Sequence, residues 1–204
     1  GYGVCSEFRR GLDELGCLWT VGVLPTVNVY PADVEVIPPS GEARPGRPHK
    51  HGAPSVQAVN AEKFILSVGS KAWSIVRWRK GTRGVLAGRF ATARVRIADG
   101  PRIARGRRLP GREAWLVAEE RGDEYRYYLS NRPARTSRLD LIRSVKARWA
   151  CEQVHEQMKQ ELGLNHFEGR SLPGLNHHVT IALICYAFLQ HLRLSQAGKK
   201  NPGS

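Results

Sequence analysis

A chain of 204 residues with 41% hydrophobic content holds enough apolar side chain for one core and an appended subdomain. The formal charge is +14, and thirteen Lys and Arg against one acid, Asp99, fall between Lys71 and Arg112. Such a block suits a phosphate-bearing partner; a merely Arg-rich surface, an RNA or an anionic membrane would draw on the same charge.

Glu7 to Leu15 reads as a short helix with Phe8, Leu12 and Leu15 on one face, closed by Gly16. Cys17 to Val23 then reads as a buried strand. Thr26 to Val36 alternates as a strand, with Pro31 restricting it to an edge. The stretch 37–54, dense in Pro and Gly, is expected to be a mobile loop, and its Arg44, Arg47 and Lys50 read better as linker than as contacts.

From Trp73 the chain has the composition of a sheet: AWSIVRWRK, GVLAGRFATARVRIAD, EAWLVAEE and EYRYYLSN, separated by turn residues. In the second of these Arg94 and Arg96 alternate with Val95 and Ile97, so one side is expected to pack and the other to be cationic. Trp73 and Trp78 suit a core, or a platform for an unpaired base. Thr136 or Ser137 is expected to cap one long helix running to about Leu162, with Leu139, Ile142, Val145, Trp149 and Met158 as its packing positions. Gly163 ends it. A last helix, roughly Leu175 to Leu194, is apolar nearly all round and is expected to be buried, with a disordered tail after it.

Within the long helix, Arg148, Glu152, His155 and Lys159 share one narrow face. A carboxylate among cations there fits either a solvated stripe with an i,i+4 pair or a working surface. Other chemistries lack their motifs. The four cysteines, Cys5, Cys17, Cys151 and Cys185, form no CxxC pair and read as reduced thiols. His155, His166, His177 and His178 make no HxxxH spacing; GxSxG is missing, and GTRG lacks the Lys-Ser/Thr of a phosphate loop. No hydrophobic run reaches transmembrane length and no charged-then-apolar leader opens the chain; the single methionine is Met158, so a fragment or a broken reading frame is expected.

Arg148, Glu152 and Lys159, at spacings of four and seven, resemble the Tyr-Arg-Glu-Lys motif of the DDE transposases of bacterial insertion sequences, with Val145 where the family has Tyr. Trp149, the run from Glu161 to Leu194, the Gly1-Tyr2-Gly3 opening and WRKGTRG at 78–84 are similar to that family's segments in the same order. The resemblance implies an α/β (α+β) fold: the C-terminal part of a ribonuclease H-like core, with a β-rich insertion and two long C-terminal helices. Residues 1–24 would end the core, 25–135 would form the basic insertion, 136–197 the helix carrying the catalytic Glu and a buried helix, and 198–204 a disordered tail. It implies a bacterial, nucleoid-associated cytoplasmic protein acting on double-stranded DNA, as a possible homo-oligomer and with no membrane partner.

Carried over position by position, Glu152 matches the catalytic, metal-binding Glu, and Arg148 and Lys159 match the basic positions that grip DNA. Arg77, Arg79, Lys80, Arg83, Arg94 and Arg96 become DNA-binding candidates through the basic insertion. The implied cofactor is Mg2+ or Mn2+, held only where two further Asp residues join Glu152; neither has a counterpart here, so the chain is expected to bind DNA weakly and cleave nothing. A non-catalytic DNA-binding remnant that inhibits an intact transposase is the competing expectation.

Overall fold

A computed structural model describes residues 2–39, 52–81, 84–104 and 106–199. The chain divides into two compact units, Gly1–Val145 and Lys146–Ser204. The architecture is mixed α/β, with one large, curled antiparallel sheet and several helices.

In the first unit α1 (Ser6–Glu14) ends on a left-handed Gly16 (φ 68°), where the Gly16 and Cys17 amides donate to the carbonyls of Asp13 and Leu12. That closure needs positive φ, and glycine adopts it without strain. The expected apolar face of this helix is corrected: Phe8 and Leu15 are exposed, whereas Arg9 is buried. Its guanidinium donates to Asp99 Oδ2 at 2.7 Å and to the Gly3 carbonyl at 2.5 Å, so an ion pair distant in sequence turns the helix.

The strands are β1 (Thr20–Val23), β2 (Asn28–Pro31), β3 (Val36–Ile37), β4 (Ala53–Pro54), β5 (Val59–Asn60), β6 (Trp73–Gly81), β7 (Gly84–Ile97), β8 (Arg102–Ala104), β9 (Arg107–Arg108), β10 (Glu113–Arg121) and β11 (Glu124–Ser130). Seven of them form one sheet in the order β1-β11-β10-β7-β2-β5, with β6 also paired to β7; β3–β4 and β8–β9 are separate two-stranded ladders. The strand expected over 17–23 is therefore shorter and lies at an edge, with Gly22 exposed and only Trp19, just before it, buried. Pro31 lies beyond the two residues that β5 pairs, so its missing N–H breaks no ladder on that side. The 37–54 stretch is closed at its base by the β3–β4 ladder; Arg44, Arg47 and Lys50 lie outside the described residues.

The sheet packs on both faces. On one, Trp19, Val29, Val95, Ile97, Leu116 and Leu129 bury with Ala61 and Ile65 of α2 (Ala61–Val68). This helix has no counterpart in the sequence reading, although its signals are present: the Asn60 side chain accepts from the Lys63 amide at 2.7 Å, and Gly69 follows the last turn. On the other face, Phe90 and Val117 bury against Leu141, Ile142 and Val145 of α3 (Arg138–Lys146). Ser137 caps α3, its hydroxyl accepting from the Asp140 amide and donating to the Asp140 carboxylate.

The single long helix expected from Ser137 is two helices: α3 stops at Lys146, and α4 (Arg148–Glu161) starts after Ala147. The break falls where the first unit ends, so α3 belongs to the sheet's core and α4 to the second unit.

The second unit pairs α4 with α5 (Leu172–Lys199). Met158 and Ala182 are buried between them, the Tyr186 hydroxyl donates to Gln157 at 3.1 Å, and a His178 ring nitrogen lies 3.0 Å from the Gly163 carbonyl. The expected burial of the last helix is corrected here. Ile181, Ile184 and Phe188 are 62%, 63% and 59% exposed, because a two-helix unit covers one stripe of a helix that is apolar on every side. The expectation that nothing reaches transmembrane length is corrected too: 172–196 has the length and composition to cross a membrane, with mean hydropathy 1.3. Uncharged His, Asn, Thr and Gln interrupt its apolar runs without lowering the average enough. The helix also continues to Lys199, past the expected start of the tail at 198; residues 200–204 lie outside the described set.

Candidate nucleic-acid interface

The charged candidates fall on three kinds of surface. Glu152 and Lys159 are exposed on α4, with His155, and Arg148 is the first residue of that helix, its side chain outside the described residues. Glu152, His155 and Lys159 are exposed, whereas Met158, beside them on the helix, is buried. Among the described residues no group of three or more His, Cys, Asp or Glu is arranged to hold an ion.

Arg94 and Arg96 behave otherwise. Both project from the same face of β7, as alternation requires, yet both are consumed by the fold. Arg94 Nη2 donates to Glu113 at 2.7 Å, and its guanidinium lies 5.1 Å from the centroid of the Trp115 ring. Arg96 donates to the carbonyls of Gly111 at 2.9 Å and Pro110 at 3.3 Å. The expected cationic side of this strand segment is thus a set of internal hydrogen bonds that closes the loop before β10.

The third surface is the arm formed by β6 and the first half of β7. Arg77, Arg79 and Lys80 are exposed on it; Arg83 lies outside the described residues. Trp78 is half-buried against the core, edge-on to Phe90 at 5.7 Å, and Trp73 is half-buried against Tyr125 at 5.4 Å with Arg89 over its ring. Neither presents a free stacking platform.

Two clefts lie on the surface of the first unit. One, of about 410 Å³, contains Asp13 and Asp99, which would suggest a cation site by composition alone. Both carboxylates are already used: Asp13 Oδ1 accepts from Trp19 Nε1 at 2.8 Å and Asn131 Nδ2 at 2.9 Å, and Asp99 holds Arg9. The other, of about 650 Å³, is lined by Arg102, Arg107 and Arg108 above Tyr30. Burial raises the Tyr30 pKa, with Arg107 opposing, and its hydroxyl donates to the Arg108 carbonyl at 2.6 Å. These arginines went unmarked as contacts in the sequence because their Gly- and Pro-flanked run has no strand periodicity.

Residues 1–85, about two fifths of the chain, match the family described as DDE superfamily endonuclease. The matched stretch takes in α1, α2 and β1 through β6 and stops at the tip of the arm; α4 lies outside it. No curated protein matches the chain, and no solved structure does.

Proposed function

On the premise that residues 1–85 are those of a DDE-type, transposase-related protein, we propose that this chain is the C-terminal part of a transposase that cleaves DNA and transfers strands during transposition of an insertion sequence, built on a ribonuclease H-like core. The family match is the observation that carries the reading. One helix bearing Arg148, Glu152 and Lys159 supports it, because an exposed carboxylate flanked by cations suits a phosphodiester beside a metal ion.

DDE superfamily endonucleases depend on divalent ions, and Mg2+ takes carboxylate oxygens while keeping several waters. Glu152 would supply one such oxygen. The described residues do not otherwise fit the ion, since Asp13 and Asp99 are engaged and no third acid stands with Glu152. On this reading Glu152 would be one ligand of the ion, Arg148 and Lys159 hold the phosphates alongside, and the chain alone is inactive. Duplex DNA is the partner, a homo-oligomer is the working form, and the bacterial cytoplasm is the location.

The test is Glu152→Gln in the parent gene, which should abolish Mg2+-dependent nicking of a transposon end while leaving DNA binding intact. Cleavage that survives this change sinks the assignment. The 204-residue chain itself should bind DNA without nicking it; nicking that disappears in Glu152→Ala would overturn its inactivity. The second reading, a DNA-binding remnant that inhibits intact transposase, draws on the exposed Arg77, Arg79 and Lys80 and on the lack, among the described residues, of an acid cluster around Glu152. Dose-dependent inhibition, on mixing with an active transposase, by a Glu152→Ala variant would favour it.

A further inference from the structure

The arm of β6 and β7 is a two-stranded ribbon with one face built for a partner. β7 pairs with β10 only from Phe90 to Arg96, so beyond Phe90 its residues 84–89 are held by β6 alone. At about 3.4 Å per residue the arm from Ile75 to Gly81 is roughly 20 Å long.

A bulge decides which cations share a face. The pairing runs Ile75↔Arg89, Arg77↔Ala87, then Arg79↔Leu86 and Lys80↔Val85, so Trp78 is the extra residue. Cross-strand partners point the same way and alternate along β7, which puts Ile75, Arg77 and Lys80 with Val85, Ala87 and Arg89 on one face. Simple alternation would have paired Arg77 with Arg79; the bulge gives Arg79 to the opposite face, with Val76 and Leu86. Trp78 also turns that way. A Cβ at Gly88 would lie 3.3 Å from the Trp78 ring and 3.2 Å from Phe90, so this glycine makes room for the packed bulge. The α3 helix closes over the same side: Arg138 donates to the Ser74 hydroxyl at 2.6 Å and Arg143 to the Trp78 carbonyl at 3.4 Å.

The other face is bare from Ile75 outward. Ile75 is 72% and Val85 58% exposed, and Glu120 is engaged by Arg89 at 3.1 Å. Arg77 and Lys80 make no ion pair among the described residues, and exposed apolar side chains separate the cations. A β-ribbon of this width enters a major groove about 12 Å wide, its cations reaching the flanking phosphates and its aliphatic groups the base edges.

We propose that the Ile75, Arg77, Lys80 and Val85 face of this ribbon docks in the major groove of duplex DNA. The proposal rests on the DNA reading above and adds to it the groove, the face and the residues. The experiment measures binding of the full chain to a short mixed-sequence duplex over a range of salt, beside the single strand of the same sequence and anionic phospholipid vesicles. The double variant Arg77→Ala/Lys80→Ala should lower the slope of log affinity against log salt by about 2, one contact per cation, and Arg79→Ala should leave it unchanged. Unchanged unfolding midpoints would show that both variants fold. Methylation interference should fall on guanine N7, in the major groove, and not on adenine N3.

A wild-type chain that ignores the duplex overturns the DNA reading and the ribbon with it. Undiminished slope in the double variant, an equal loss in Arg79→Ala, interference at adenine N3 alone, or preference for the single strand or the vesicles overturns the ribbon proposal. Of these results, all but the vesicle preference leave nucleic-acid binding standing.

Discussion

The two halves of β7 differ less in sequence than in what surrounds them. From Phe90 to Ile97 the strand pairs β10 as far as Arg96 and, at its two ends, β6 or β2, and its arginines Arg94 and Arg96 fold back onto a carboxylate, a ring and carbonyls. From Gly84 to Arg89 it has one partner strand, and across from it Arg77 and Lys80 stand in solvent. Arginine beside an apolar residue therefore has two meanings. Near the middle of the sheet the neighbouring strand and loop bring carboxylates, rings and carbonyls within reach, and the cation becomes part of the scaffold, as Arg94, Arg96 and Arg89 do; farther out along the arm, Arg77 and Lys80 remain available to a phosphate.

Mutations should separate the halves by size of effect. Phe90 sits where the pairing changes and is fully buried among Val117, Leu141 and Ile142, so Phe90→Ala should cost about 3–5 kcal/mol in denaturant unfolding. A loss below about 1 kcal/mol would mean that the inner half is not core. Arg9→Ala removes one partner of the buried pair with Asp99; because Asp99 keeps 25% exposure, the loss should fall near the lower end of the buried-pair range, about 3 kcal/mol. Asp99→Asn, which retains an acceptor, should cost less.

Arg94→Ala should cost about 1 kcal/mol, chiefly the contact with Trp115, since Glu113 is half exposed. It should leave the salt dependence of DNA binding untouched, and a lowered slope would erase the contrast between the halves. Arg77→Ala should change stability by less than about 0.5 kcal/mol, the ordinary result at an exposed site.

The smallest effect concerns α3, the helix that covers the Phe90 side. The Ser137 hydroxyl, followed by Arg143, holds the Asp140 carboxyl below its usual pKa. A folded-state pKa lowered in this way adds stability that is present at neutral pH and lost as pH falls through the carboxylate range. Ser137→Ala should therefore weaken the fold more at pH 7 than at pH 3, in unfolding curves measured at both. A difference that grows on acidification would contradict the sign.

Much of the sheet was legible in the sequence. The four strands from Trp73 onward, bounded by Gly and by charged turns, lie close to where Val, Ile, Trp and Tyr concentrate, because β propensity and period two are local properties. Gly16 as a helix terminator was equally local. The α2 helix was missed despite its Asn60 cap, since eight residues give too short a window for periodicity. Burial of Arg9 was invisible because its partner lies ninety positions away. Of the candidate site, the shared helix of Arg148, Glu152 and Lys159 could be read from spacing, whereas the fates of the individual arginines could not.

Composition and order along the chain determined by themselves that this protein is basic in its middle, sheet-forming from Trp73, and similar at its opening to DDE endonucleases. Tertiary structure alone decided that helix 137–162 breaks at Ala147, that Arg94 and Arg96 are internal, and that one extra residue at Trp78 places Arg77 beside Lys80. The reason is range: propensity and periodicity act over one or two turns, but which edge of a strand is paired, and which cation finds an acid, depends on residues that only the folded chain brings within reach.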